Sequence, residues 1–398
     1  MTRMSLTGYV SVQLDGFLQP FVQGLARESG RAVKELVFLI VGSASIMVSR
    51  LARRMSWGPS RMIHREKRLC RHAKTKSFDD VGLSGALRAQ AAEHLRKDSL
   101  VLLDTSDLSK PYGRKMEHLG IVRDGSRKTN GPGYWLVGAF LRRKRGQILP
   151  LLMRCFSLVE PGIKSFNAVI VQALSQLKEV LTQGRGILVC DRGFDAIRLL
   201  EPMLKHSLRF IVRLVGNRDL LFQHNGQWRK CNVRKWVDAQ LAQELRALTA
   251  LVRLPKRQEV LQLIVAPPIP GRHKEPMLLL SRGVLTRRHD AGWIIRAYRS
   301  RWALEDGLRA FKQSFGIEDV RVLTLRAVQR LVLLAAMAMA FVIHLAQHAK
   351  AACKRLVSLA AQHFDQPILY DFCRFAFGLC NLVTAEQLQS HLNGWAYG

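Results

Sequence analysis

Residues 298–312 read YRSRWALEDGLRAFK. The run contains no Pro and its apolar residues recur at helical spacing, which predicts a helix opening near Asp290, a residue suited to N-capping. At ~100° per residue, Tyr298, Arg301, Trp302, Glu305, Arg309 and Lys312 fall in one stripe, with Ala297, Leu304, Leu308, Phe311 and Phe315 in a second beside it. The second stripe is a core face. The first sets one carboxylate among three cations and two aromatic rings at the edge of that core. Pairs four residues apart, Arg301–Glu305 and Glu305–Arg309, would account for the charges on a plain solvated face. Taken alone, the stripe calls for no more than that.

Two aspartates stand in suitable contexts. Asp104 follows the apolar run Val101-Leu102-Leu103 and is expected at the end of a buried strand, on the rim of a sheet. Its rival, Asp107, reads as a turn or cap residue. Asp191 follows Ile187-Leu188-Val189-Cys190 and opens DRGFD; a helix N-cap is the competing reading, and Asp195 reads as just such a cap. Carboxylates brought close together are mutually unfavourable unless a cation lies between them. Two divalent ions ~3.5–4 Å apart would satisfy Asp104, Asp191 and Glu305 and clamp the attacking and leaving oxygens of a phosphodiester. Mg2+ suits oxygen donors that share their ion with water and phosphate, with Mn2+ as a substitute.

The composition points to the same substrate. Among 398 residues, 62 Lys and Arg stand against 30 Asp and Glu, a formal charge of +32. A folded protein this basic neutralises a polyanion, most commonly nucleic acid. Binding to an anionic membrane would instead need a basic amphipathic helix with bulky apolar residues opposite, and no stretch has that form. Between Arg50 and Lys76, ten cations, Arg65, Arg68 and Arg71 among them, face the single acid Glu66. Like charges that dense repel one another unless an anion lies among them, which predicts phosphate contact. The seven cysteines are scattered without a CxxC pair. Neither a zinc site nor a disulfide framework is therefore expected, in keeping with a reducing cytoplasm. Gln13 and Asp15 interrupt the N-terminal apolar run, so no secretory leader is expected. The apolar runs Leu36–Ser49 and Leu331–Leu345 fall short of the ~18–20 residues of a membrane span and read as buried helices.

Along the chain, residues 1–98 are expected as a helical, basic DNA-binding region. From Ser99 strands alternate with helices, so 99–214 form the first part of an α/β core. Within it YWLVGAFLRRKRGQILPLLMRCFSLV reads as a hairpin turning at the basic RRKRGQ. Residues 215–285 read as a mainly β insertion with turns at Asn225-Gly226 and Pro267-Pro268. Residues 286–320 return to the core with the helix quoted above, and 321–398 are helical.

The order Tyr298, two residues, Arg301, three residues, Glu305, six residues, Lys312 resembles the YREK signature of one group of bacterial insertion-sequence transposases. Asp104 before Thr105, and Asp-Arg-Gly at 191–193 after a buried strand, resemble the first two acidic motifs of the same DDE transposases. The resemblance covers roughly residues 99–320. It implies a ribonuclease-H-like fold, a mixed sheet flanked by helices with a β domain inserted before the Glu helix. It also implies that Asp104, Asp191 and Glu305 hold two metal ions for cleavage at the ends of a mobile element and for strand transfer into target DNA. Arg301, Arg309 and Lys312 would then neutralise phosphates beside the scissile bond, Tyr298 would position the displaced strand, and Arg213 would lie near the DNA. Lys110, Arg114, Arg127 and Lys128 are further candidates for phosphate contacts. The partners implied are double-stranded DNA, as element ends and as target, and a second copy of the chain in a homodimeric complex in the bacterial cytoplasm. Hairpin-forming relatives carry a ring just before the strand that reads LLLS here; this chain has Met277, with Trp228 as the other candidate. The rivals are a structure-specific nuclease or resolvase on the same fold and a non-catalytic DNA-binding protein.

Overall fold

The computed structural model describes residues 6–55, 61–125, 129–143, 147–182, 184–241, 247–268 and 275–348. The chain opens with five helices, α1 (Leu6–Val22), α2 (Arg27–Ser43), α3 (Val48–Arg54), α4 (Met62–Lys74) and α5 (Asp80–Ala92). The apolar run from Leu36 is a buried helix up to Ser43. There Ala44 turns left-handed (φ 44°), and α3 leaves at a steep angle to α2. The Asp79 carboxylate caps α5 by accepting from the Gly82 amide at 2.9 Å, one of the N–H groups a helix start leaves without a backbone partner.

Strands follow: β1 (Leu100–Ser109), β2 (Gly120–Asp124), β3 (Thr129–Arg142) and β4 (Ile148–Phe156). β1 begins with a run buried on both faces, the pattern of a central strand covered by helices on either side. Then come α6 (Phe166–Lys178), β5 (Ile187–Cys190), α7 (Ile197–Lys205) and β6 (Phe210–Arg213). β1 pairs antiparallel with β3 and β3 with β4, while β1 pairs parallel with β5 and β5 with β6. Parallel neighbours require helical crossovers, which α6 and α7 supply. The order β4-β3-β1-β5-β6 is a ribonuclease-H-like sheet, as the sequence implied. β3 and β4 form the expected hairpin, while residues 144–146 of its turn lie outside the described residues. Pro150 has no amide to donate, and the register shifts by one residue at Ala139/Phe140.

Two expectations need correction here. β1 does not end at Asp104; it runs on to Ser109 because β3 offers it antiparallel partners as far as Gly133. The β insertion is not a separate unit either. It comprises β7 (Asp219–His224), β8 (Gln227–Asn232), α8 (Val233–Leu241), β9 (Leu248–Arg253), β10 (Leu261–Ala266) and β11 (Met277–Arg282). β11 pairs antiparallel with β6, and β10, β9, β7 and β8 continue outward, making one sheet of eleven strands. The β7–β8 turn is the one expected at Asn225-Gly226, both residues having positive φ (50° and 78°).

The quoted stretch forms two helices rather than one. Asp290 caps α9 (Ala291–Arg299) as expected, accepting from the Trp293 amide at 2.6 Å. The chain then tightens: Arg301 N–H donates to the Tyr298 carbonyl (2.9 Å) and the Ser300 hydroxyl donates to the Ala297 carbonyl (2.6 Å). α10 (Trp302–Ser314) restarts from there, with Leu308, Phe311 and Phe315 buried on the predicted core face. Residues 325–348 form α11 (Leu325–His348), which meets the length and hydropathy of a membrane span yet has 89% of its most apolar window buried within the protein. Arg330 on α11 is fully buried. It forms a two-pronged pair with Asp80 (2.7 and 2.8 Å) and donates to the carbonyls of Ala73 and Thr75. The N-terminal helices thus share one continuous core with the sheet and α11. Residues 349–398, with Cys353, Cys373 and Cys380, lie outside the described residues; Cys70, Cys155, Cys190 and Cys231 are free thiols.

Candidate active site

Leu103 and Cys190 are partners in the parallel pairing of β1 with β5. Asp104 and Asp191 are therefore the next residues outward on neighbouring strands. β5 stops at that point, and the Asp191 carboxylate accepts from the Gly193 amide (2.8 Å), which fixes the 3₁₀ turn Arg192–Phe194. Asp191 thus fulfils its alternative capping reading while standing beside Asp104, whose own carboxylate accepts from the Thr105 amide at 2.8 Å.

α10 brings the third carboxylate, Glu305. Its approach to the sheet is close: a Cβ added at Gly307 would stand 2.0 Å from Ile148 Cδ1 at the start of β4. Only glycine lets the helix lie that near without displacing Ile148. Arg301 then links the acids, with Nη1 2.9 Å from Asp104 Oδ2 and Nη2 2.6 Å from Glu305 Oε1. Burial, and next the Asp191 charge, push the Asp104 carboxyl up to about 7; Arg301 opposes the rise and Glu305 adds to it. Desolvation and like charge both favour the neutral acid.

The donors fit a hard divalent cation in kind, being carboxylate oxygens alone. The raised proton affinity of Asp104 comes first from burial, with the like charges of Asp191 and Glu305 adding to it against Arg301. Among the described residues, however, no group of three or more Asp, Glu, His and Cys side chains stands close enough to hold an ion. Arg301 fills the interval between Asp104 and Glu305, so loading the site with a cation requires the guanidinium to leave it.

The other predicted residues divide. Tyr298 is buried (4% exposed), and burial raises its phenol, with Arg301 and Arg213 flanking the hydroxyl. Arg213 closes β6 at that spot, so both residues support the site from within. Arg309 is exposed, as a phosphate contact requires. Lys312 pairs with Glu318 (3.2 Å) and with Asp107 (3.7 Å). Asp107 is thus a strand residue facing a lysine, not a turn cap. Asp195 is no cap either: its carboxylate accepts from the Val215 amide and pairs with Arg218, both at 2.7 Å, and α7 starts without it. Lys110 is 4% exposed, donating to the carbonyls of Ile317, Glu318 and Val320, so it is unavailable to a phosphate. Of the N-terminal trio, Arg71 is exposed, whereas Arg65 donates to the Met55 carbonyl and Arg68 pairs with Glu35. Arg127 and Lys128 lie outside the described residues. Met277 packs against the core, and one face of Trp228 carries the Arg253 guanidinium 4.0 Å from the ring centroid. Gly307 escaped the sequence reading; a glycine inside an amphipathic helix, two residues past its key acid, was the available signal.

No curated protein matches the chain. Among solved structures it is similar to the piggyBac transposase in a cryo-EM structure of the synaptic complex with hairpin DNA. The likeness is 11% in sequence with a TM-score of 0.48, over 93% of this chain and 73% of that one. Residues 151–341, running from within β4 to within α11 and including Asp191 and Glu305 but not Asp104, match the family model of the transposase DDE domain.

Proposed function

We propose that the protein is a DNA transposase of the insertion-sequence type, cutting at the ends of a mobile element and joining the freed 3′-hydroxyls to target DNA. What supports this reading is the adjacency of Asp104 and Asp191 on neighbouring strands, together with the link that Arg301 makes from Asp104 to Glu305. Asp104, Asp191 and Glu305 would hold divalent cations, Mg2+ by donor type. When bound, these activate the attacking oxygen and stabilise the leaving one. Arg301, displaced from the carboxylates, would turn to the phosphate beside the scissile bond, with Tyr298 and Arg213 setting the direction of its stem. Arg309 and Lys312, on the same helix, would neutralise the flanking phosphates. The formal charge of +32 supplies affinity for the rest of the duplex. Two copies of the chain would serve the two element ends.

Asp104→Asn, Asp191→Asn and Glu305→Gln should each abolish strand cleavage while leaving affinity for DNA within about threefold, since most binding comes from phosphate neutralisation elsewhere. Cleavage of end-labelled duplex and gel shifts measured together decide the matter. Undiminished cleavage by Asp104→Asn would transfer the role to Asp107, and cleavage surviving all three changes would end the reading.

A further inference from the structure

Beyond the carboxylates, β1 runs on toward a cavity of about 720 Å³ lined by residues 109–116 and by Glu318, Asp319, Val320, Arg321 and Leu323. From Asp104 to Ser109 the strand covers roughly 17 Å, with Lys312 standing between the two places through its pairs with Asp107 and Glu318. Two apolar side chains on the wall face solvent, Tyr112 (89% exposed) and Leu323 (62%). No large apolar side chain among the described residues is more exposed than Tyr112. Arg114, Lys115 and Arg321 line the same cavity, and none of them has an acidic partner among the described residues. The acids on the rim are otherwise engaged, Glu318 with Lys312 and Asp319 with Arg50 (3.8 Å).

The cavity is built rather than incidental. Lys110 pins its floor by donating to three carbonyls of the segment 317–320. The Glu117 amide donates to the Leu323 carbonyl at 2.7 Å, and the Glu117 carboxylate accepts from the Leu325 amide at 2.9 Å. Both walls are thus tied to each other with the ring of Tyr112 left outside.

We propose that this cavity takes an unpaired nucleotide of the DNA strand passing the carboxylate site. The base lies against Tyr112 and Leu323, and its phosphates meet Arg114, Lys115 and Arg321. The inference rests on the DNA reading above. Cations not paired with acids, beside an open aromatic face, are the combination that holds single strands, the ring taking the base and the charges the backbone. The volume suits a group of nucleotide size, in the range of ~300–1,000 Å³ common to small-ligand sites. The ~17 Å interval amounts to about five steps of a strand at 3.4 Å each.

The test compares affinities of the full chain, in EDTA, for a blunt duplex and for the same duplex with a single-stranded tail of about six nucleotides on either strand. Fluorescence anisotropy should show one tailed duplex preferred by roughly fivefold to a hundredfold, the span given by stacking of one base. Tyr112→Ala should bring that ratio close to one and Tyr112→Phe should keep it, with blunt-duplex affinity unchanged in both. A 5-iodouracil in the tail should cross-link to the peptide carrying Tyr112. Equal affinity for blunt and tailed duplex in the unmodified protein, or a preference that survives Tyr112→Ala, overturns the assignment while the DNA reading stands. Self-association abolished by Tyr112→Ala, without any tail preference, would give the cavity to a second copy and also overturn it. Binding to neither duplex would sink both readings.

Discussion

Asp104 has its carboxylate 14% exposed, with Asp191 and Glu305 as like charges and Arg301 2.9 Å away. An aspartate in an unfolded chain releases its proton near pH 4, whereas this one holds it to about 7. Between those limits the folded state binds one proton more than the unfolded state, so stability falls as pH rises through that window. Asp104→Asn removes the titration. Relative to the unmodified chain it should gain stability progressively from about pH 4 to about pH 7 and then level off, by at most a few kcal/mol. Thermal midpoints in EDTA across that range test this, and parallel profiles for the two proteins would contradict it. A divalent cation favours the ionised carboxylate, so Mg2+ should raise the midpoint of the unmodified chain, and Asp104→Asn should forfeit that gain. Asp104 was legible in the sequence because an apolar run points at it. Its pairing with Arg301 was not, since 197 positions separate the two and no periodicity spans such a gap.

At the scale of elements, what was legible followed local rules. The Asp290 cap, the Asn225-Gly226 turn and the core face of Leu308, Phe311 and Phe315 all rest on neighbours within a few residues. The break between α9 and α10 was hidden because neither Pro nor Gly marks it; a serine hydroxyl and one shortened turn produce it. Likewise the second half of β1 reads DTSDLS, too polar to suggest a strand, and exists because β3 lies alongside it. Gly307 belongs to the same scale. Gly307→Ala would force a methyl into the space of the Ile148 side chain and lever α10 from the sheet. It should lower stability by roughly 1–3 kcal/mol, the usual cost of overpacking, and reduce cleavage far more than DNA binding because Glu305 moves with the helix. Chemical denaturation and the cleavage assay measure the two effects. Adding Ile148→Ala should restore part of both, and no restoration would mean that the Gly307–Ile148 approach does not place Glu305.

Across the whole molecule, charge sorts into two populations that composition alone cannot separate. Arg68 and Arg330 pair internally with Glu35 and Asp80, while Lys67, Arg71 and Lys74 face solvent along α4. Replacing Lys67, Arg71 and Lys74 together with Gln should flatten the dependence of log affinity on log salt by about 0.9 for each phosphate that is no longer neutralised. Arg68→Gln should instead destabilise the fold by stranding Glu35, whose carboxyl burial already raises in proton affinity, and leave the slope nearly unchanged. Salt titrations of affinity for all three proteins separate the two roles; an equal flattening by Arg68→Gln would put that residue on the DNA side. The N-terminal region was readable as helical and basic. That it is continuous with the sheet's core was not, because burial of α2 against α11 joins segments far apart in the chain.

The pairing of β11 with β6 has a consequence for anyone trimming the protein to a minimal catalytic piece. Phe210-Ile211-Val212 would become the outermost strand once residues 215–285 were excised, with its amides and carbonyls bare on one side. A short apolar strand with an open edge recruits further strands from other molecules. The shortened chain should therefore precipitate or form fibrillar, thioflavin-positive material at concentrations where the intact chain stays dispersed. Light scattering on the shortened and intact chains would show it, and a dispersed, monomeric deletion product would refute it. The outer strands thus act as the sheet's seal against self-assembly.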